Sequence, residues 1–185
     1  MESMSQPVVL EKHVALVELE PVLALLREKG YLDTSFEGKE VHELAMRALS
    51  KEEALDEYDR TNNKPYINPD LEKYMPYKTT ETENLVVMMM SLNKNTNCDE
   101  VLAEMDKLGV RPLTYEELIQ YGIAHPSHQE QNEIIGLGSR YSLGDSLQGG
   151  VRVPVLFKNV AGNSLRADRL DYGFTKESRF PVVRK

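Results

Sequence analysis

The sequence predicts an α+β fold: N-terminal amphipathic helices, a Tyr/Pro-rich strap, then helices packed on a mostly antiparallel sheet of four to five strands. Three observations lead there. Apolar residues recur at helical spacing over much of the first 60 residues, aliphatic residues grow scarce between 61 and 82, and from Glu133 onward the apolar period shortens to two. The implied organisation is a helical segment over 1–60, a strap or linker over 61–84, and an α+β domain over 85–185 that ends in a β-meander. With 185 residues, 41% of them hydrophobic, the chain can bury a core without metal or disulfide support.

The elements follow in order. Leu19, Val22, Leu23 and Leu26 form one stripe of a helix over 18–29, with Pro21 in its first turn and Gly30 as its stop. Val41, Leu44, Ala45, Ala48 and Leu49 suggest a second helix, and Ser50 followed by Glu53 is the capping box of a further helical segment. In the strap, Pro65, Pro69 and Pro76 argue against any element longer than one turn, while Tyr66, Ile67, Tyr74, Met75 and Tyr77 are apolar enough to pin it to a surface.

Residues 84–92 (NLVVMMMSL) form an apolar run of strand length, read as a strand buried on both faces. Met88 and Met90 then point away from Met89, so the three cannot share a soft-metal site. Asn97 or Thr96 caps a helix that Gly109 ends, and Thr114 with Glu117 boxes the start of another that Pro126 closes. Beyond Glu133, Val151, Val153, Val155 and Phe157 alternate with Arg152, Pro154, Leu156 and Lys158, and turn signals at 144–150 and 161–163 make a meander. That parity places Phe157 inside and Arg152 outside. Pro154 cannot donate to a ladder, which suggests an edge strand or a bulge, and hence a place for strand addition by a partner or by a second copy.

Candidate chemistry is sparse. Gly136, Gly138 and Ser139 follow an apolar pair as a phosphate loop would, but no helix follows them, Tyr141 stands where a third glycine would be, and no Gly-Lys-Ser/Thr occurs. They read as a close-packed strand, or as the rim of a small enzyme's pocket where a histidine or carboxylate would meet Ser139, Tyr141 or Cys98. Cys98 has no recognisable base in its sequence neighbourhood. The acidic run Glu52, Glu53, Asp56, Glu57 and Asp59 lacks the glycine turn and terminal glutamate of a calcium loop.

The histidines are His13, His42, His125 and His128. His125 and His128 have ligand-like spacing, but Pro126 argues against a regular helix there, and the expectation is solvent-exposed side chains, with no metal and no cofactor. The formal charge of −8 argues against a whole-surface nucleic-acid binder. Its distribution is uneven, however: residues 133–185 carry 9 basic and 5 acidic side chains against 13 and 25 in the rest. Arg140, Arg152, Arg166 and Arg169, with nearby aromatic rings, are the candidate contact residues of a basic sheet.

The expected role is therefore a non-enzymatic binding or adaptor module with a protein partner or self-association. A single-stranded nucleic-acid binder comes second and a small enzyme third. One cysteine, no basic-then-apolar leader and no long apolar run predict a cytoplasmic protein without membrane contact.

Overall fold

The computed structural model describes residues 40–185 except Thr80, Asn93 and 145–149, and residues 38–185 cluster as one compact unit. The helix expected over 18–29 lies outside the described residues. Nine strands and four α-helices are described: β1 (Val41–Met46), α1 (Lys51–Thr61), β2 (Tyr66–Ile67), α2 (Pro69–Tyr74), β3 (Glu83–Met90), α3 (Cys98–Lys107), β4 (Val110–Pro112), α4 (Tyr115–Ala124), β5 (Ile134–Ile135), β6 (Tyr141–Ser142), β7 (Val151–Asn159), β8 (Gly162–Arg169) and β9 (Phe180–Arg184). The α+β class is as the sequence predicts.

The strands form two sheets. One has the order β1-β3-β9-β4 and is antiparallel throughout; the other runs β2-β8-β7-β5, with β6 also pairing β7. In the second sheet only β2 is parallel to its neighbour.

Residues 41–46 are a strand, not the helix that their apolar spacing suggests. His42, Leu44 and Met46 share one face of β1, the ladder to β3 runs from Val41↔Met88 to Met46↔Glu83, and Leu44 and Met46 are fully buried. A period-two burial and a ready partner strand overrode a helical stripe. The helical segment that follows, α1, begins where the sequence put it: Ser50 Oγ accepts from Glu53 N–H, and the Glu53 carboxylate accepts from Ser50 N–H.

The strap also departs from expectation, because α2 is a six-residue helix. Asn68 caps it and Pro69 occupies its first turn, where the missing N–H costs nothing. Leu71 and Met75, one turn apart, are buried and dock the segment. Tyr66 and Tyr74 are exposed, whereas Tyr77 donates to the Leu49 carbonyl at 3.1 Å.

β3 is an interior strand, and Val87 to Met90 are all buried. Met88 and Met90 pair with Val182 and Phe180, while Met89 joins the main core with Leu44 and Val183. β7 corrects the edge expectation. It lies between β8 and the short pair β5 and β6, with Val153 to Leu156 all buried, so parity does not separate a wet face from a dry one. Pro154 sits where β5 has ended and β6 has not begun: its carbonyl accepts from Gly136 N–H at 3.0 Å, and no ladder donor is needed there. Pro154 therefore does not lie on an exposed sheet edge. Phe157 is half-buried under the Arg166 guanidinium, 4.3 Å from its ring centre, rather than inside the core.

Helix α4 is the centre of the molecule, with Tyr115, Leu118, Ile119 and Tyr121 fully buried. It packs on α1, β1 and β7. Gly122 permits that closeness, since a Cβ there would lie 2.8 Å from the Tyr58 ring and 3.1 Å from Leu156. The C-terminal end of α4 carries the histidines described next.

Candidate metal centre

Three of the four histidines of the chain converge at the end of α4. His125 is the residue that caps the helix, its N–H bonding the Tyr121 carbonyl at 2.9 Å. Pro126 and Ser127 turn the chain into a short 3-10 turn, His128–Glu130, held by His128 N–H on the His125 carbonyl at 3.1 Å. His42 arrives from β1, on the same face as Leu44 and Met46. The His42 and His128 ring centres are 4.4 Å apart, and His125 stacks on His128 at 4.9 Å with 4° between planes. One ligand nitrogen from each ring lies within 4.8 Å of the others, and all three residues are half-buried rather than solvated as the sequence suggests.

Each imidazole has one nitrogen anchored to an oxygen. His42 Nε2 is 3.0 Å from Glu40 Oε1, His125 Nε2 is 3.1 Å from the Glu43 carbonyl, and His128 Nδ1 is 2.8 Å from the Tyr121 hydroxyl. A carboxylate and a carbonyl only accept, so His42 and His125 donate through Nε2 and keep a lone pair on Nδ1. Burial, with Glu40 nearby, keeps the Tyr121 phenol protonated well above neutral pH, so its oxygen can accept from His128 Nδ1–H and leave Nε2 as the third lone pair. Orientation of each ring through its second nitrogen is the arrangement that metal-binding histidines use.

The electrostatics favour a neutral His128 ring. The His128 imidazole is pushed below its ordinary range, first by burial and then by His42 and His125, with Glu40 opposing. The carbonyl end of α4 and the Glu40 carboxylate both place negative potential at the cluster. Bonds of 2.0–2.1 Å to a tetrahedral ion put ligand nitrogens about 3.3 Å apart, so the rings would have to draw together to hold one.

A buried polar network fixes the 3-10 turn that carries His128. Tyr58 Oη donates to Gln129 Oε1 at 2.8 Å, Gln129 Nε2 donates to Asn62 Oδ1 at 2.5 Å, and Asn62 Nδ2 donates to the Tyr58 and Gly122 carbonyls at 3.1 and 3.3 Å. Asn163 Nδ2 adds bonds to Asn62 Oδ1 at 2.9 Å and to the Pro126 carbonyl at 3.3 Å. The network ties α1, the end of α4 and the β7–β8 hairpin to the residues that flank His128.

The residues singled out from sequence lie elsewhere. Gly136 and Gly138 are packing positions: a Cβ on Gly136 would lie 2.8 Å from Leu118, and one on Gly138 would lie 2.5 Å from the Leu113 carbonyl oxygen. Ser139 Oγ accepts from Tyr115 N–H at 2.9 Å and so helps cap α4. Tyr141 is buried, with its phenol pushed up to about 12, first by burial, and it stacks on Tyr74. Burial likewise pushes the Cys98 thiol up, Asp99 adding and Arg140 opposing.

The arginines are largely spoken for. Arg166 pairs with Glu133 and Asp168 at 2.8 Å each, Arg169 pairs with Asp171 and lies over the Tyr172 ring, and Arg152 donates to the Ala167 carbonyl. Arg152 and Arg169 border a groove of about 670 Å³ together with Glu133 and Asp168, whose carboxylates give it mixed charge. Among the described residues, no helix is long and apolar enough to cross a membrane.

The spacing of His125 and His128 does not by itself reveal the cluster, because the third histidine is 83 positions upstream of His125. The available signal was that Glu40 and His42 stand two apart, which on a strand puts both on one face. No protein-family model, curated protein or solved structure matches this chain.

Proposed function

We propose that this protein binds a divalent transition metal, zinc in the first place, through His42 Nδ1, His125 Nδ1 and His128 Nε2. The observation that carries the reading is that all three rings converge while one nitrogen of each is held by Glu40, Glu43 or Tyr121 and the other is left to bind. Three neutral imidazoles suit zinc, copper or nickel rather than calcium or magnesium. Three protein ligands leave the fourth position of a tetrahedral ion to water or to another molecule, as in zinc sites that do chemistry rather than only hold a fold.

The adaptor reading loses support at its proposed edge, since β7 is interior. The nucleic-acid reading loses support because Arg166 and Arg169 are engaged by carboxylates.

The test is a competition titration of chelator-stripped protein against a chromophoric zinc indicator. One zinc per chain is expected, and His42→Ala and His128→Ala each abolish it. Native protein that takes no zinc, or variants that bind as the native chain does, would sink the reading.

A further inference from the structure

Resting on that metal reading, we infer that the open coordination position is completed by a small monovalent oxyanion of the carboxylate or bicarbonate type, gripped on its far side by Arg179. A concavity of about 40 Å³ adjoins the centre and shares Glu40 and His128 with it; Arg179, Gln131 and Asn132 supply further polar walls. A space of that size holds about three waters, which matches a carboxylate or bicarbonate and is tight for a tetrahedral phosphate.

Arg179 is placed firmly. Its N–H donates to the Glu133 carbonyl at 2.9 Å and its carbonyl accepts from Ile135 N–H at 2.8 Å, so the backbone here links the two sheets just before β9. Its guanidinium reaches the Lys176 and Ser178 carbonyls through Nη1 alone, at 3.1 and 3.2 Å. Arg47, Arg111, Arg166 and Arg169 each pair with a carboxylate, whereas no carboxylate among the described residues pairs with Arg179. Nη2 and Nε therefore remain as the two-pronged donor that recognises a planar oxyanion.

Charge points the same way. An ion on three neutral imidazoles keeps its full double charge, and the single charges of Glu40 and Arg179 offset one another, so an anion is the ligand this position favours. Gln131 and Asn132, which directly follow the 3-10 turn, add amide donors at the rim.

The experiment uses the full chain loaded with Co²⁺, whose visible bands report coordination. Acetate and bicarbonate are expected to shift the bands at millimolar concentration, and phosphate at the same concentration to leave them in place. Arg179→Gln and Arg179→Lys should each raise the anion dissociation constant about tenfold while Co²⁺ affinity stays native, which also shows that the variants fold. N-acetylglycine separates the sources: tighter binding than acetate assigns the carboxylate to a larger molecule, and equal binding to a free anion. Bands that ignore every anion, a response to phosphate alone, or an Arg179→Gln chain that responds like the native one would each overturn the inference. A chain that takes up no Co²⁺ would instead overturn the metal reading on which it rests.

Discussion

Gln120 of α4 and Arg47, one residue past β1, exchange two hydrogen bonds: Arg47 N–H donates to Gln120 Oε1 at 2.8 Å, and Gln120 Nε2 donates to the Arg47 carbonyl at 2.9 Å. The side-chain amide stands where a neighbouring strand would pair. Glu40 bonds Met89 of β3, so the alternate residues Glu43 and Arg47 turn their backbone groups away from the sheet, and the helix meets them with His125 and Gln120. An open sheet edge is thus partly covered by a helix. Gln120 is buried, and Gln120→Leu removes the acceptor of the Arg47 N–H while the Arg47 carbonyl keeps the Leu49 N–H at 2.9 Å, so we expect a loss of about 1–2 kcal/mol in urea unfolding. Unchanged stability would mean that water replaces the amide without cost.

The close approach at Gly138 gives a second prediction. Gly138 N–H donates to the Leu113 carbonyl at 3.0 Å, and the space for a Cβ is filled by that same backbone rather than by a movable side-chain tip. Gly138→Ala should cost about 2–4 kcal/mol in chemical denaturation. A ligand-cradling glycine predicts the opposite, a stable variant with altered binding.

Capping grammar made the helices legible: the Ser50/Glu53 and Thr114/Glu117 boxes form and, of the two caps that the sequence offers for α3, Asn97 is the one used, each cap standing one residue before its helix. Local chemistry suffices for such features. β1 was not legible, because Val41, Leu44, Ala45 and Leu49 satisfy a helical stripe as well as a strand, and only β3, some 40 residues on, decides between them. The histidine cluster was hidden for the same reason. It needs β1 as a strand to present His42 with Glu40, and it needs α4 to run against that strand. Pro154 misled because a missing donor is harmless wherever the partner strand is interrupted, not only at an edge.

The carboxylate of Glu100 is held well below its ordinary value of 4.5, at about 2, by the Thr96 hydroxyl first, then by Lys94 and by the Asn97 N–H. Because the folded value lies below the unfolded one, the stabilisation is complete above the ordinary carboxylate range and is lost as pH falls from there through about 2. Carboxyl NMR titration should find the Glu100 midpoint near the lower figure, and Thr96→Val should move it upward. Glu100→Gln should flatten the acid limb of the stability curve over that interval. A native midpoint at the ordinary value would remove the bond to Thr96 from the account.

Zinc at about 100 times its dissociation constant should add about 2.7 kcal/mol to the folded state, provided the unfolded chain binds weakly. For a chain of this size that raises the melting temperature by roughly 5–10 °C. His128→Ala should melt at the same temperature with and without zinc. A shift that survives in that variant would place the ion elsewhere.

Asn62 links fold to site most directly. Its amide accepts from Gln129 and Asn163 and donates to the Tyr58 and Gly122 carbonyls, so Asn62→Ala removes the partner of the Gln129 amide and of the Gly122 carbonyl and should destabilise by about 2–4 kcal/mol. It touches none of the three imidazoles. It acts on them through Gln129, the neighbour of His128, so zinc affinity should fall about tenfold under conditions where the variant is still fully folded. Tyr58→Phe, which removes one hydroxyl from the same network, should weaken zinc binding less and in proportion to its smaller structural effect. Loss of stability with native zinc affinity would show that the histidine cluster holds its geometry without this support, and that β1 and the end of α4 are enough.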